Sequence, residues 1–258
     1  MAAQAEAVTT ESSESSGTPR WWRYLAMPTF LTAVVVVLSL YVSSRELDSI
    51  EQRRLGIEFI LRSTLRHLEL VGVSTVLVIL ISVPLGILFT RPFMSKLTPP
   101  IVAVASTAQG IPSIGVIVVL ALLTGAFGFA VAIVALVVYA FLPVLRNTMV
   151  GLQQVDQSVI EAGRGMGMSR RRVLRQIELP LAVPVMLAGI RTALVINVGT
   201  ATIAVLIDAG GLGEIVYTGL IQSRRIVTLT GAVLTAVLAL LVDYVAGIAE
   251  EQLRPRGL

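Results

Sequence analysis

Cysteine is absent from the 258 residues and histidine occurs once, at His67. A disulfide framework, a thiolate metal site and a cysteine nucleophile are therefore excluded. One imidazole is too few for a histidine metal centre and leaves a serine-type triad without support. Charge is also scarce: Asp, Glu, Lys and Arg make up 14% of the chain, against about 25% in ordinary soluble domains. Aromatic residues are only 5%, whereas hydrophobic residues reach 55% and mean hydropathy is +0.85. A disordered chain needs the opposite balance. The remaining class is an all-α, polytopic membrane protein. The net charge of +4 and pI near 10 would point to nucleic acid in a soluble chain. Here the basic residues fall between apolar runs, which reads as membrane orientation, with the lipid bilayer as partner and no nucleic acid.

About 20 apolar residues cross a hydrocarbon core. Tyr24 to Ser44 carries no charge and gives a first span; Val71 to Thr90, starting near His67, gives a second. Leu97 to Leu145 is 49 residues without one Asp, Glu, Lys or Arg. It divides at Gly125–Gly128 into spans of about 100–124 and 129–145. Leu179 to Ile207, broken only by Arg191, and Ile226 to Ala249, broken only by Asp243, complete six predicted transmembrane helices. Backbone groups in lipid must pair within their own segment, which favours helices. A β-barrel would alternate with period two, and runs such as Val34–Leu38 do not.

The first 23 residues are Ser-, Thr- and Glu-rich and read as a disordered tail, not a signal peptide, with Trp21 and Trp22 as an interface anchor between Arg20 and Arg23. Residues 24–44 form an N-terminal helix, 45–66 an amphipathic connector, 67–249 the main membrane domain and 250–258 a tail. With both termini cytoplasmic, inside segments hold twelve Lys and Arg and outside segments seven. The strongest vote is the 146–178 loop, with six Arg.

That loop is also the most informative segment. Ser158-Val-Ile-Glu161 has the form of a capping box, Gly163, Gly165 and Gly167 break the helix it starts, and Ser169 caps a second helix over 170–178. Two short helices at a glycine-rich corner therefore precede the fifth span. A solvated basic loop that merely holds topology is the plain alternative.

Glu161-Ala162-Gly163, then three residues, Gly167, then nine residues and Ile177-x-Leu179-Pro180 resembles the EAA loop of ABC importer permeases, EAA-x3-G-x9-I-x-LP. The one departure, Gly163 for the second Ala, keeps the position small. Further stretches are similar to permeases of glycine betaine, carnitine and choline importers: His67-Leu-Glu-Leu-Val71 with Pro84-Leu-Gly-Ile87, Gln109-Gly-Ile-Pro-Ser113, Leu142-Pro-Val-Leu-Arg-Asn-Thr148, Leu187-Ala-Gly-Ile-Arg191 and Ala209-Gly-Gly-Leu-Gly213. Methionine permeases share several of them. The resemblance covers about residues 65–249 and implies the ABC importer permease (MetI-like) fold. It implies that Ser158, Glu161, Ala162, Gly163, Arg164, Gly165, Met166, Gly167, Ile177, Leu179 and Pro180 form the element that docks on an ATPase, with Arg170, Arg171 and Arg172 as basic flanks. The implied partners are two ATPase subunits, a second permease copy or paralogue, and an extracytoplasmic substrate-binding protein. The chain has no G-x-x-x-x-G-K-[ST], so ATP hydrolysis is expected in the partner, with no catalytic residue, cofactor or metal here. Ala209–Gly213 reads as a turn or gate on the outer face.

Arg191 and Asp243 are costly inside a membrane. A mutual ion pair is the expected explanation, a gate contact or proton relay the functional one. Ser106, Gln109, Ser113, Asn197, Thr200 and Thr202 are candidates to line a translocation path, although Ser and Thr also serve as interhelical glue. Phe127, Phe129, Tyr139 and Phe141 sit at helical spacing and read as core rather than as an aromatic cage for a quaternary ammonium. His67 reads as an interfacial hydrogen-bonding residue, with proton coupling as its sharper alternative. Pro84 and Pro112 interrupt apolar helices.

The expectation is a six-span permease subunit of an ATP-driven importer of osmoprotectant quaternary amines, in the cell membrane. An importer of methionine or another small organic solute is the rival within the class. An ion-coupled secondary transporter using Arg191, Asp243 and His67 is the rival outside it, and a membrane scaffold a third.

Overall fold

The computed structural model describes residues 20–94 and 96–253, without the side chains of residues 20–23 and 108. Most of the tail expected over 1–23, and the end of the one expected over 250–258, lie outside this set, as do the side chains of Trp21 and Trp22. Within it, residues 20–23 are helical and Glu250–Leu253 continue the last helix.

Eleven α-helices are found and no strand, among the described residues. Helix α1 (Arg20–Ser43) leads to α2 (Ser49–Leu55), which opens on a capping box between Asp48 and Glu51. Gly56 is extended and separates α2 from α3 (Ile57–Phe89). At about 1.5 Å per residue α3 is roughly 50 Å long, more than the ~30 Å hydrocarbon core needs. The surface connector expected over 45–66 is thus only α2, and its second half is the first turns of α3. Then come α4 (Thr98–Gly110), α5 (Ser113–Thr124), α6 (Phe129–Gln153), α7 (Gln157–Gly165), α8 (Arg170–Val173), a π-turn (Leu174–Glu178), α9 (Leu179–Ala201), α10 (Gly213–Ile221) and α11 (Arg225–Leu253).

Among the described residues, five helical segments are long and apolar enough to cross a bilayer: Tyr24–Ser43, α3, α6, the run Arg170–Ala201, and α11. The expected third span is a broken pair instead. Pro112 has no N–H and fixes its own φ, which ends α4 and starts α5. Each half is about 20 Å or less, too short to cross alone. Broken backbone at membrane depth must find protein partners. It does: Gln109 Nε2 donates to the Tyr139 carbonyl at 3.0 Å, and the Tyr139 hydroxyl donates to the Ile111 carbonyl. The division at Gly125–Gly128 is as expected, with both glycines at positive φ.

Helices α3, α6 and α9 form the central layer, with α11 packed on α9, and α10 and α1 packed on α11. Half of the α6 span is buried, against 11% of α1. Close approach needs small residues: a Cβ on Gly189 of α9 would lie 2.5 Å from Asn147 Cβ of α6, and one on Gly86 of α3 2.7 Å from Thr148 Cβ. The main core lies between these helices around Leu70, Ile117, Leu136, Val198 and Ile215.

The two poles of the bundle differ. At one, Tyr24 meets Glu251 and Tyr244, and Arg91 meets Glu178. At the other, Arg66 and His67 meet the 209–212 turn, and Arg224 pairs with Asp48 and Glu51.

Candidate functional site: a coupling element and a central cavity

The 156–180 segment folds as a small unit at the start of the Arg170–Ala201 run. Val155, Ile160 and Val173 form its own buried core, with Met168, Ile177 and Leu181 against it. The N-cap of α7 is Asp156, whose carboxylate accepts from the Ser158 amide at 2.8 Å. The Ser158 capping box is therefore not formed: the helix begins one residue before Ser158, because an aspartate two positions upstream offers a better acceptor. That bond to the Ser158 backbone amide, with a further side-chain bond to Ser158, holds the Asp156 carboxyl below its ordinary range.

Gly163 does not break α7 either; it is its tightest contact. A Cβ there would lie 2.6 Å from Ile177 Cδ1. Gly165 is the last residue of α7, and the chain turns at Gly167 (φ 83°), where Met168 N–H bonds the Gly163 carbonyl at 3.1 Å. Ser169 caps α8 as expected, accepting from the Arg172 amide. Ile160 and Gly163 face inward, while Val159, Ala162 and Met166, at helical spacing, stay exposed, Met166 at 76%. Glu161, Arg164, Arg170, Arg171, Arg172 and Arg175 surround them on the surface. The unit thus presents an apolar ridge in a mostly basic field. Leu179 and Pro180 start α9, which continues from α8 and the π-turn without interruption. Ile177, against which Gly163 of α7 packs, lies two residues before the start of α9.

A cavity of about 470 Å³ opens beside the helix break. Gln109 and Ser113 line it from α4 and α5, Tyr139 from α6, and Val195, Gly199 and Thr200 from α9. Three of the six path candidates therefore share one cavity. The others are elsewhere. Asn197 is buried and donates to Ser74 and Thr75 of α3 at 3.0 and 3.1 Å, so it joins helices instead. Ser106 accepts from Arg146 at 2.7 Å, and Thr202 bonds its own helix at the Val198 carbonyl. Tyr139, read as core, lines the cavity. Phe129 and Phe141 pack on two different apolar clusters and Phe127 is exposed, so the four aromatics form no cage.

Arg191 and Asp243 do pair, through two bonds of 2.6 and 2.7 Å, with Glu250 at 3.7 Å. His67 is buried, not interfacial. Its Nε2 lies 3.0 Å from the Val198 carbonyl and its Nδ1 accepts from the Leu212 amide at 3.3 Å, a pattern that fits the neutral ring with the proton on Nε2. It ties α3 to α9 and to the turn where Gly210 and Gly211 take φ 84° and 92°. His67 and the Arg191–Asp243 pair lie at different levels of the bundle and share no contact, which removes the geometry an ion-relay reading needs. Two further features carried no local sequence signal: Tyr139's position on the break, and an ion pair between Arg91 and Glu178.

Comparison with known proteins agrees with this geometry. Residues 82–255 match the family described as binding-protein-dependent transport system inner membrane component. The chain is 38% identical to the choline transport system permease protein OpuBB of Bacillus subtilis, over 77% of this chain and 90% of that one. It is 35% identical to the osmoprotectant import permease protein OsmY of Salmonella typhimurium, over 88% and 94%. Among solved structures, the inward-facing MetNI methionine ABC transporter is similar with a TM-score of 0.69 and 27% identity, over 76% of this chain and 96% of that one. The chain belongs to the binding-protein-dependent inner membrane components, the multi-pass membrane permeases of ABC transporters.

Proposed function

We propose that this chain is the permease subunit of an ATP-driven importer of osmoprotectant quaternary amines: glycine betaine, choline or carnitine. In this reading two ATPase subunits bind the 156–180 unit from the cytoplasm. A second permease, the same chain or a paralogue, faces the cavity, and a substrate-binding protein delivers the solute at the opposite pole. Both termini are then cytoplasmic, residues 67–249 are the permease domain, and α1 is an addition to it. The supporting observation is the folded coupling unit: an exposed ridge of Val159, Ala162 and Met166, seated by Gly163 on Ile177, which belongs to the same continuous run as the cavity-lining α9. Small apolar residues in a basic field suit a groove with an acidic rim. The substrate class is supported by what the relatives are named for.

The cavity fits that chemistry. Gln109, Ser113, Thr200 and Tyr139 set uncharged polar groups among the otherwise apolar walls of Val195, Ile196 and Ile203, suited to passing a methylated ammonium without trapping it. ATP-driven closure then moves the helices as rigid bodies around this space.

The experiment is uptake of radiolabelled glycine betaine in cells with and without the gene, with choline, carnitine and methionine as unlabelled competitors. Gene-dependent, ATP-dependent uptake competed by the quaternary amines is expected. Competition by methionine alone establishes the second reading, which the likeness to the methionine transporter favours.

A further inference from the structure

Arg91 and Glu178 meet at the pole that carries the coupling unit, 87 positions apart in sequence. Glu178 ends the π-turn and is 5% exposed. Arg91 lies just past α3. Its Nη2 donates to Oε2 at 2.7 Å and its Nη1 to Oε1 at 3.5 Å, while its Nε donates to the Ile87 carbonyl of α3 at 3.2 Å. All three guanidinium nitrogens are engaged, so the group is pinned to α3 and holds the carboxylate with both ends. The neighbouring contacts between α3, α6 and α9 are apolar: Leu152, Ala182 and Met186, with Val83, Ile87 and Leu179 against them. Apolar contacts are non-directional and let helices slide; a forked charge pair fixes one geometry.

Ile177, on which Gly163 of α7 rests, directly precedes Glu178. The order of contact is therefore α7, Ile177, Glu178, Arg91, α3. Helix α9 receives any movement of the loop covalently, whereas α3 must receive it through side chains. A π-turn at this junction is itself a feature common at functional sites.

We propose that Arg91 and Glu178 form the strut that carries movement of the coupling helix into α3, so that α3 and α9 shift together. The pair positions and does not touch substrate. This rests on the coupling reading given above.

The test uses the full chain with its ATPase and binding protein in proteoliposomes. It measures glycine betaine taken up per ATP hydrolysed, with ATPase co-purification in parallel, for the wild type, Glu178→Gln and the exchange Arg91→Glu/Glu178→Arg. Glu178→Gln is expected to keep the ATPase bound and hydrolysing, while uptake per ATP falls about tenfold, in the usual range of coupling between sites. The exchange is expected to recover most of that ratio. A wild-type ratio in Glu178→Gln overturns the strut while leaving the coupling reading intact. Loss of the assembled complex in both variants, with no recovery on exchange, also overturns it and makes the pair a fold contact only. A wild-type chain that does not co-purify with the ATPase removes the coupling reading itself.

Discussion

Two glycines that would each clash on gaining a methyl group are expected to respond differently to alanine. In Gly163→Ala the new Cβ lies 2.6 Å from Ile177 Cδ1, the free end of a side chain. Moving that atom through an off-rotamer χ2 costs about 0.5–1.5 kcal/mol. Alanine in place of glycine inside a helix returns about 0.8–1 kcal/mol. The two nearly cancel, so the melting temperature of the purified chain should stay within about 2 °C of the wild type. In Gly189→Ala the new Cβ lies 2.5 Å from Asn147 Cβ and 3.0 Å from the Pro143 carbonyl oxygen. Neither can move without the α6 backbone, and separating α6 from α9 opens the central layer. Overpacking of that kind costs about 1–3 kcal/mol, and the remainder after the propensity gain, up to about 2 kcal/mol, lowers Tm by as much as roughly 8 °C. The assay is thermal unfolding of both variants in the same detergent, with ATPase co-purification as a second readout. Equal destabilisation of the two, or a Gly163→Ala that loses the ATPase while Gly189→Ala is stable, would refute the distinction between a yielding side chain and a fixed backbone.

Three other outcomes follow from local chemistry. Tyr139→Phe removes the hydroxyl that satisfies the Ile111 carbonyl at the helix break and should cost about 1 kcal/mol in thermal unfolding, while betaine uptake falls because the cavity wall shifts. Asp156 has its carboxyl held below the ordinary range, so its cap is present above that range and lost as pH falls through the lowered value. Protection factors of the α7 amides, corrected for intrinsic exchange, should therefore fall at acid pH in the wild type, and Asp156→Asn should remove that pH dependence while Asp156→Ala is less protected throughout. Arg191→Gln and Asp243→Asn should each lower stability by about 1 kcal/mol, and the exchange Arg191→Asp/Asp243→Arg should recover part of it; an exchange that recovers nothing counts against the pair.

The spans were legible because lipid demands long charge-free runs, and the chain's twenty Lys and Arg fall almost wholly between them. The loop was legible because its residues touch neighbours close in sequence: Ser169 caps a helix three residues away. What a helix turns toward is another matter. Asn197 and Thr200 are one turn apart on α9, yet the first faces α3 and the second the cavity. Spacing places residues on a helix but not that helix against its neighbours, so Asn197 read as path and Tyr139 as core. Pro112 stands in the sequence, but hydropathy runs unbroken across it, and a proline in a membrane helix more often bends than divides it. Ser158 matched a familiar template, while Asp156 two residues earlier made the actual cap. Arg91 and Glu178 have no shared pattern at all, since only the folded chain brings them together.

One helix links these observations. Read from its coupling end, α9 begins under Ile177, carries Arg191 to its pair on α11, and joins α3 through Asn197. It then passes Thr200 along the cavity and offers the Val198 carbonyl to His67. Contacts to α3 and the residues just past it recur at two levels, Glu178 at the start and Asn197 with Val198 near the end, and each involves a side-chain group with a fixed direction. Small residues seat α6 against the same face at Gly189. Helices joined by directional bonds at more than one height resist bending and relative sliding more than they resist moving together. Flexibility must then reside where the bonds are fewer or the backbone is already irregular: the Pro112 break on one wall of the cavity, and the glycine turn at 210–211 beyond its far end. A motion entering at α7 would move the α3–α6–α9 body as a unit and appear as a change of angle at those two places. The cavity would then change shape at the wall formed by α4 and α5, where the backbone is broken at Pro112.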